Sequence, residues 1–312
     1  MGVFVNIKHK LNFDELKASG ELPSPKGVAL AVMELFKREN LALPELAHTI
    51  LADPALTGRI IKMANSVNPN RSRPIASVTV DTLILIGIQA TRQAVLALSL
   101  VMSYRKGQCK GFDYQTFWSH SLAMACVVQT VGTVVRTAPL AEIFICGLLA
   151  EVGQLGLAAV RPDDDSKLLE QYAGKPLEEL LQAESNEFGM NHCDLTAAMM
   201  ADWGIPQLFI DAVTYYHDPG ASGFAQGSRN LNLVLALQLA AQLADLFTAP
   251  DHARAAMLPR IFEIGASLNL DAEHVVAIAN HAAQDWLEWG ELLNIKMWAV
   301  PPLEAPKVDG GA

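Results

Sequence analysis

Apolar residues recur along this chain at intervals of three and four, and strict apolar-polar alternation is scarce. That period belongs to the α-helix, and it predicts roughly fifteen helices, at about 11–19, 25–38, 44–52, 54–66, 77–87, 89–104, 113–136, 139–159, 163–173, 176–188, 191–203, 206–217, 229–247, 252–268 and 271–294. Punctuation supports the reading. Ser24-Pro25, Asp53-Pro54 and Lys175-Pro176 put proline at helix starts, and Ser77, Asp113 and Asn191 are candidate N-caps. The expected class is all-α.

Turn-forming residues concentrate in "NSVNPNRSRP", "RKGQCKGFD" and the Gly/Ser-rich "HDPGASGFAQGS". They predict roughly the following organisation: an N-terminal segment 1–19, a helical lobe 20–108, a second lobe 109–250, a helical extension 251–299 and a Pro/Gly-rich, disordered tail 300–312.

Several helices are apolar nearly all round, so their hydropathy needs a membrane check. The stretches around 83–101, 140–160 and 231–247 are interrupted by charged or amide residues such as Arg92, Glu151 and Asp245, short of the roughly 18 clean apolar residues of a spanning helix. They are expected to be buried helices of a soluble core. The chain opens without a secretory signal pattern, and Asn6 fills the slot where a myristoylation motif needs Ser or Thr.

The chain has 312 residues, 51% hydrophobic and 18% charged, with a formal net charge of −10. An acidic balance argues against a general nucleic-acid binder, because phosphate neutralisation needs a dense Lys/Arg field. The Arg71/Arg73 and Arg105-Lys106 pairs are the candidate basic patches and are read as loop charges. Four cysteines at unrelated spacings, with no Cys-x-x-Cys pair, suit reduced thiols in a cytoplasmic protein.

Three greasy helices each carry one ionisable group in their interior: His120 in "FWSHSLAMACVVQTVGTVV", Glu151 in "AEIFICGLLAEVGQLGLAAV" and Asp245 in "LNLVLALQLAAQLADLF". A lone buried charge is costly, so the least expensive arrangement brings the three together, with the histidine charged and its pKa raised. Two readings of such a trio stand. It is a buried polar network, or a His-plus-two-carboxylate site for Fe, Mn or Zn. Three residues on three separate helices lack fixed local spacing, which favours the network.

The stretches "ELPSPKGVALAVMELF", "ILADPALTGRIIKMANS", "FWSHSLAMA", "FICGLLAEVGQLGL", "FGMNHCDLTAAMMADWGIPQLFIDAVTYYHDP" and "LQLAAQLAD" resemble, in that order, the HDOD domain, a bacterial relative of the HD metal-dependent phosphohydrolases. The resemblance implies a two-lobed helical fold of the HD superfamily, here with a C-terminal helical extension. HD enzymes bind metal through an early histidine, an adjacent His-Asp pair and a late aspartate. By motif, His120 matches the early histidine, Asp245 the late aspartate, and Ala150-Glu151 the His-Asp pair. His192 and the Tyr216-His217 pair match the additional histidines of two-metal relatives, and Gln154 stands where active relatives often carry lysine. Ala150 has no donor to offer, and the extra methylene of Glu151 displaces its oxygens by about an Å where placement tolerance is about 0.5 Å.

The resemblance therefore implies a degenerate metal site in a non-catalytic module of bacterial signal transduction, acting on signalling proteins through protein–protein contacts without a cofactor, nucleic acid or membrane. Two alternatives remain open: a metal-dependent phosphohydrolase or cyclic-dinucleotide phosphodiesterase with a reduced ligand set, and a nucleotide-sensing protein. His192, Tyr216, His217 and Gln154 are candidate pocket residues for a small molecule. Trp286, Trp289 and Trp298 lie on an amphipathic stretch that either caps the core or offers an interface.

Overall fold

In the computed structural model, residues 12–38, 40–67 and 73–304 are described. In chain order they form α1 (Phe13–Ser19), α2 (Val28–Phe36), α3 (Leu43–Leu51), α4 (Pro54–Val67), α5 (Val80–Ile86), α6 (Ile88–Ser103), α7 (Tyr114–Val135), α8 (Leu140–Leu149), α9 (Val152–Val160), α10 (Pro162–Tyr172), α11 (Leu177–Phe188), α12 (His192–Asp202), α13 (Gln207–Tyr215), α14 (Arg229–Thr248), α15 (Asp251–Ser267) and α16 (Ala272–Leu293). A 3-10 turn spans Pro219–Ser222, and there is no strand among the described residues.

Local chemistry sets most helix starts. Asp113 accepts from the backbone N–H groups of Gln115 and Thr116, and Asn191 forms a reciprocal capping box with Asp194. Pro54 opens α4 as expected. Two expected starts move. Thr79, not Ser77, caps α5 by accepting from the N–H of Thr82, and the Ser77 carbonyl instead accepts from the Thr82 hydroxyl. Pro25 lies ahead of α2, which begins only after Gly27 at φ 60°, a backbone state that glycine adopts at low cost.

The long helix expected over 139–159 is two helices. It breaks at Ala150-Glu151, where Glu151 leaves the helical region at φ −120°, ψ 17°. No proline or turn residue marks the break.

Helix α7 is the central strut, with α8, α14 and α16 packed along it. Helices α6 and α4 join this core by packing on α8. Glycines allow the closest crossings. A Cβ on Gly147 would lie 2.8 Å from the Ala125 backbone of α7, and one on Gly153 would lie 1.9 Å from the His192 carbonyl of α12. The three most apolar long helical stretches, Tyr114–Val135, Leu140–Val160 and Arg229–Thr248, are long and apolar enough to cross a membrane by length and composition, yet 78–83% of each apolar window is buried inside this fold.

The tryptophans of the extension divide. Trp286 and Trp289 are fully buried against the core, Trp286 donating to the Ser119 carbonyl at 2.8 Å and Trp289 packing on Phe144 at 5.0 Å between ring centres. They cap α7 and α8 and so present no interface, while Trp298 is half-buried edge-on against Trp286. Arg105, one of the candidate basic-patch residues, donates to the carbonyls of Leu293 and Asn294 at the C-terminal end of α16, a position where the helix dipole favours a cation. Arg71 lies outside the described residues.

Candidate functional site

Three helices deliver the central trio. His120 projects from the second turn of α7, Glu151 sits at the α8–α9 break, and Asp245 lies in the last turn of α14. His120 Nε2 is 3.0 Å from Asp245 Oδ1, and Nδ1 is 3.1 Å from Glu151 Oε2. The second contact is a short charge–charge approach off the line of a good hydrogen bond. The side chains of His120 and Glu151 are 13% exposed, whereas that of Asp245 is 49% exposed, so the trio runs from the interior to the solvent edge.

Electrostatics follow from this geometry. Burial opposes a charged His120 ring, but the Glu151 charge and the hydrogen bond to Asp245 outweigh it and lift the pKa to about 10. Burial likewise opposes a charged Glu151, and the nearby His120 charge overcomes it, holding the carboxyl at about 2. The result is an imidazolium between two carboxylates. Tyr216 donates its hydroxyl to Glu151 Oε1 at 3.3 Å, and Gln242 donates to Asp245 Oδ2 at 3.4 Å.

A metal binds imidazole through the lone pair of a neutral ring. Here both ring nitrogens face carboxylate oxygens and Ala150 is a buried methyl group at the end of α8. Among the described residues no group of three or more His, Cys, Asp and Glu side chains is arranged to hold a metal ion. The residues, so arranged, do not fit the metal that the HD resemblance implies.

A cleft of about 360 Å³ opens beside the trio, lined by Asp113, Thr116, His120, Glu151, Gln154 and Asp245 among others. Three carboxylates face one imidazolium there, and the lining includes no Lys or Arg. Such a field repels phosphate groups.

Of the four candidate pocket residues, only Gln154 lines this cleft. Tyr216 is buried behind Glu151, and His217 is exposed and stacks on the Tyr216 ring at 3.9 Å. His192 turns away into a second buried cluster. Its Nδ1 lies 2.7 Å from Glu184 Oε2, and its backbone N–H donates to the same oxygen at 2.9 Å.

That second cluster contains residues the sequence pattern did not single out. Asp165 is buried, accepts from the Cys109 thiol at 3.6 Å, and is pushed up to about 7 by burial and the nearby Glu184 charge. Burial raises the Cys193 thiol, but hydrogen bonds from His192 and His217 outweigh it and bring it down to about 7. The eight-residue spacing from Glu184 to His192 across the glycine-ended α11 was the available signal.

The comparisons with known proteins agree with this architecture. The HDOD domain family profile matches residues 22–219. The crystal structure of the response regulator MmoQ from Methylococcus capsulatus (Bath) is similar at 34% identity, covering 82% of this chain and 97% of that one, with a TM-score of 0.52. An HDOD domain protein of unknown function from Geobacter sulfurreducens shares the fold at 24% identity, with a TM-score of 0.62 and coverage of 92% and 99%. An uncharacterised protein of Treponema pallidum (strain Nichols) is 22% identical over 224 residues, and the chain spans only 42% of its length. With well over half of its length matched by the family profile and 34% identity to a solved relative over most of both chains, the protein belongs to the HDOD domain family.

Proposed function

We propose that this HDOD protein is a non-catalytic regulatory module of bacterial signal transduction that works in the cytoplasm through protein–protein contacts. The observation that carries the reading is the clamp on His120. The histidine at the position of an HD metal ligand is held by a carboxylate on each ring nitrogen, and the neighbouring donor position is Ala150. A charged, doubly paired imidazole neither ligates a metal nor acts as a base. The likeness to the response regulator MmoQ supports a signalling role.

The phosphohydrolase alternative needs a metal to activate water, and the nucleotide-sensing alternative needs cations for phosphates. The acidic cleft counts against the second, and the doubly paired His120, together with the methyl group at position 150, counts against the first. Turnover assays with phosphomonoesters and cyclic dinucleotides in the presence of Fe, Mn or Zn test the proposal. No turnover is expected, and hydrolysis that disappears in His120→Ala would overturn it.

A further inference from the structure

Residues 300–304 follow the extension as a segment without helix, where the sequence suggests a frayed tail from 300 onward. This segment is anchored. The Leu303 N–H donates to Asn280 Oδ1 at 2.8 Å, and Asn280 Nδ2 donates back to the Leu303 carbonyl at 3.0 Å. Both bonds read the main chain, so the amide fixes the register of an extended peptide whatever its side chains.

Sequence then decides which side chains face inward. Two consecutive prolines hold φ near −65° and favour a polyproline II path, whose period of three puts residues i and i+3 on one face. Val300 and Leu303 are half-buried and Pro301 and Pro302 exposed, as that period requires.

Beneath the segment lies an apolar groove between α14, α15 and α16. Leu246, Phe247, Leu258, Ala279 and Ala283 line it, with Asp251, Arg254 and Asn280 as its polar members. About 260 Å³ remains open there even with residues 300–303 in place. The chain's own segment is therefore a partial occupant, held by one amide and two half-buried side chains.

We propose that this groove is a recognition site for extended peptides of the pattern aliphatic-Pro-Pro-aliphatic, held in cis by Val300–Leu303 and open to displacement by a partner protein's segment of the same pattern. The larger the partner's aliphatic residues, the more of the open volume they fill and the more apolar surface they bury. The groove lies outside the lining of the His120 cleft, so its test does not depend on whether that site is catalytic.

Full-length protein is titrated into a fluorescein-labelled synthetic peptide of sequence AVPPLEAP, and polarisation is read. Cis occupancy masks the groove in the unaltered chain, so Leu303→Asp is expected to bind the peptide about tenfold more tightly than the unaltered protein. Adding Asn280→Ala is expected to abolish that binding. Val300→Asp serves as an independent release variant, and circular dichroism checks that each variant keeps its helix content. The proposal is overturned if folded Leu303→Asp and Val300→Asp proteins bind no better than they bind a scrambled peptide, or if binding survives Asn280→Ala.

Discussion

Glu151 sits between a buried imidazolium and a buried phenol, and it answers both with its two oxygens, Oε2 toward His120 and Oε1 toward the Tyr216 hydroxyl. Removing the carboxylate leaves a buried cation with one exposed partner. Glu151→Ala is therefore expected to destabilise the protein by about 3–5 kcal/mol, read from urea unfolding; a loss within experimental error would show that His120 is neutral. Asp165 supplies a pH dependence of opposite character. Its pKa is raised on folding to about 7, so the native state binds the proton more tightly than the unfolded chain does. Stability therefore falls as pH rises from about 4 to about 7 and stays lowered above it. Asp165→Asn removes that dependence, and its melting temperature should exceed that of the unaltered protein at pH 8 by several times the difference seen at pH 4. Equal differences at both pH values would contradict the assignment. The first trio was legible because each member is the lone ionisable group inside a greasy helix. Asp165 and Glu184 were hidden, because "RPDDDSK" and "LLQAESNEF" have the polar texture of solvated helix faces, and only the fold turns one carboxylate of each inward.

At the scale of elements, the α8–α9 break places Glu151, and the α9–α12 crossing sets how closely the two clusters approach. Gly153 donates its N–H to the Thr196 hydroxyl at 2.8 Å, and that hydroxyl donates to the His192 carbonyl at 2.8 Å. A methyl group on Gly153 would overlap that carbonyl. Gly153→Ala should cost about 1–3 kcal/mol as α9 and α12 are pushed apart, and a denaturant midpoint shift measures it; an unchanged midpoint would mean the crossing is looser than described. Helix identity was legible throughout from the three-to-four period, and boundaries mostly within a few residues. The break at Glu151 was not, because "GLLAEVGQLGL" offers no proline and its glycines read as packing positions rather than a stop. The docking of residues 300–303 was not legible either. Its anchor, Asn280, lies in α16, more than twenty residues earlier in the chain.

For the whole molecule, the extension from α15 onward belongs to the folded body. Trp286 and Trp289 close the side of α7 and α8, and Lys62 of α4 pairs with Glu288 of α16 at 2.7 Å while resting over Trp289, joining α4 to α16. A helical body with an acidic, clamped cleft is what the proposed non-catalytic role requires. The central claim is that His120 is an ion-paired structural residue and no metal ligand. Adding one equivalent of paramagnetic Mn(II) to protein labelled at its histidine ring nitrogens tests it most directly. The His120 ring signals are expected to stay sharp and keep an imidazolium shift. Selective broadening of those signals at one equivalent, abolished by Glu151→Ala, would contradict it.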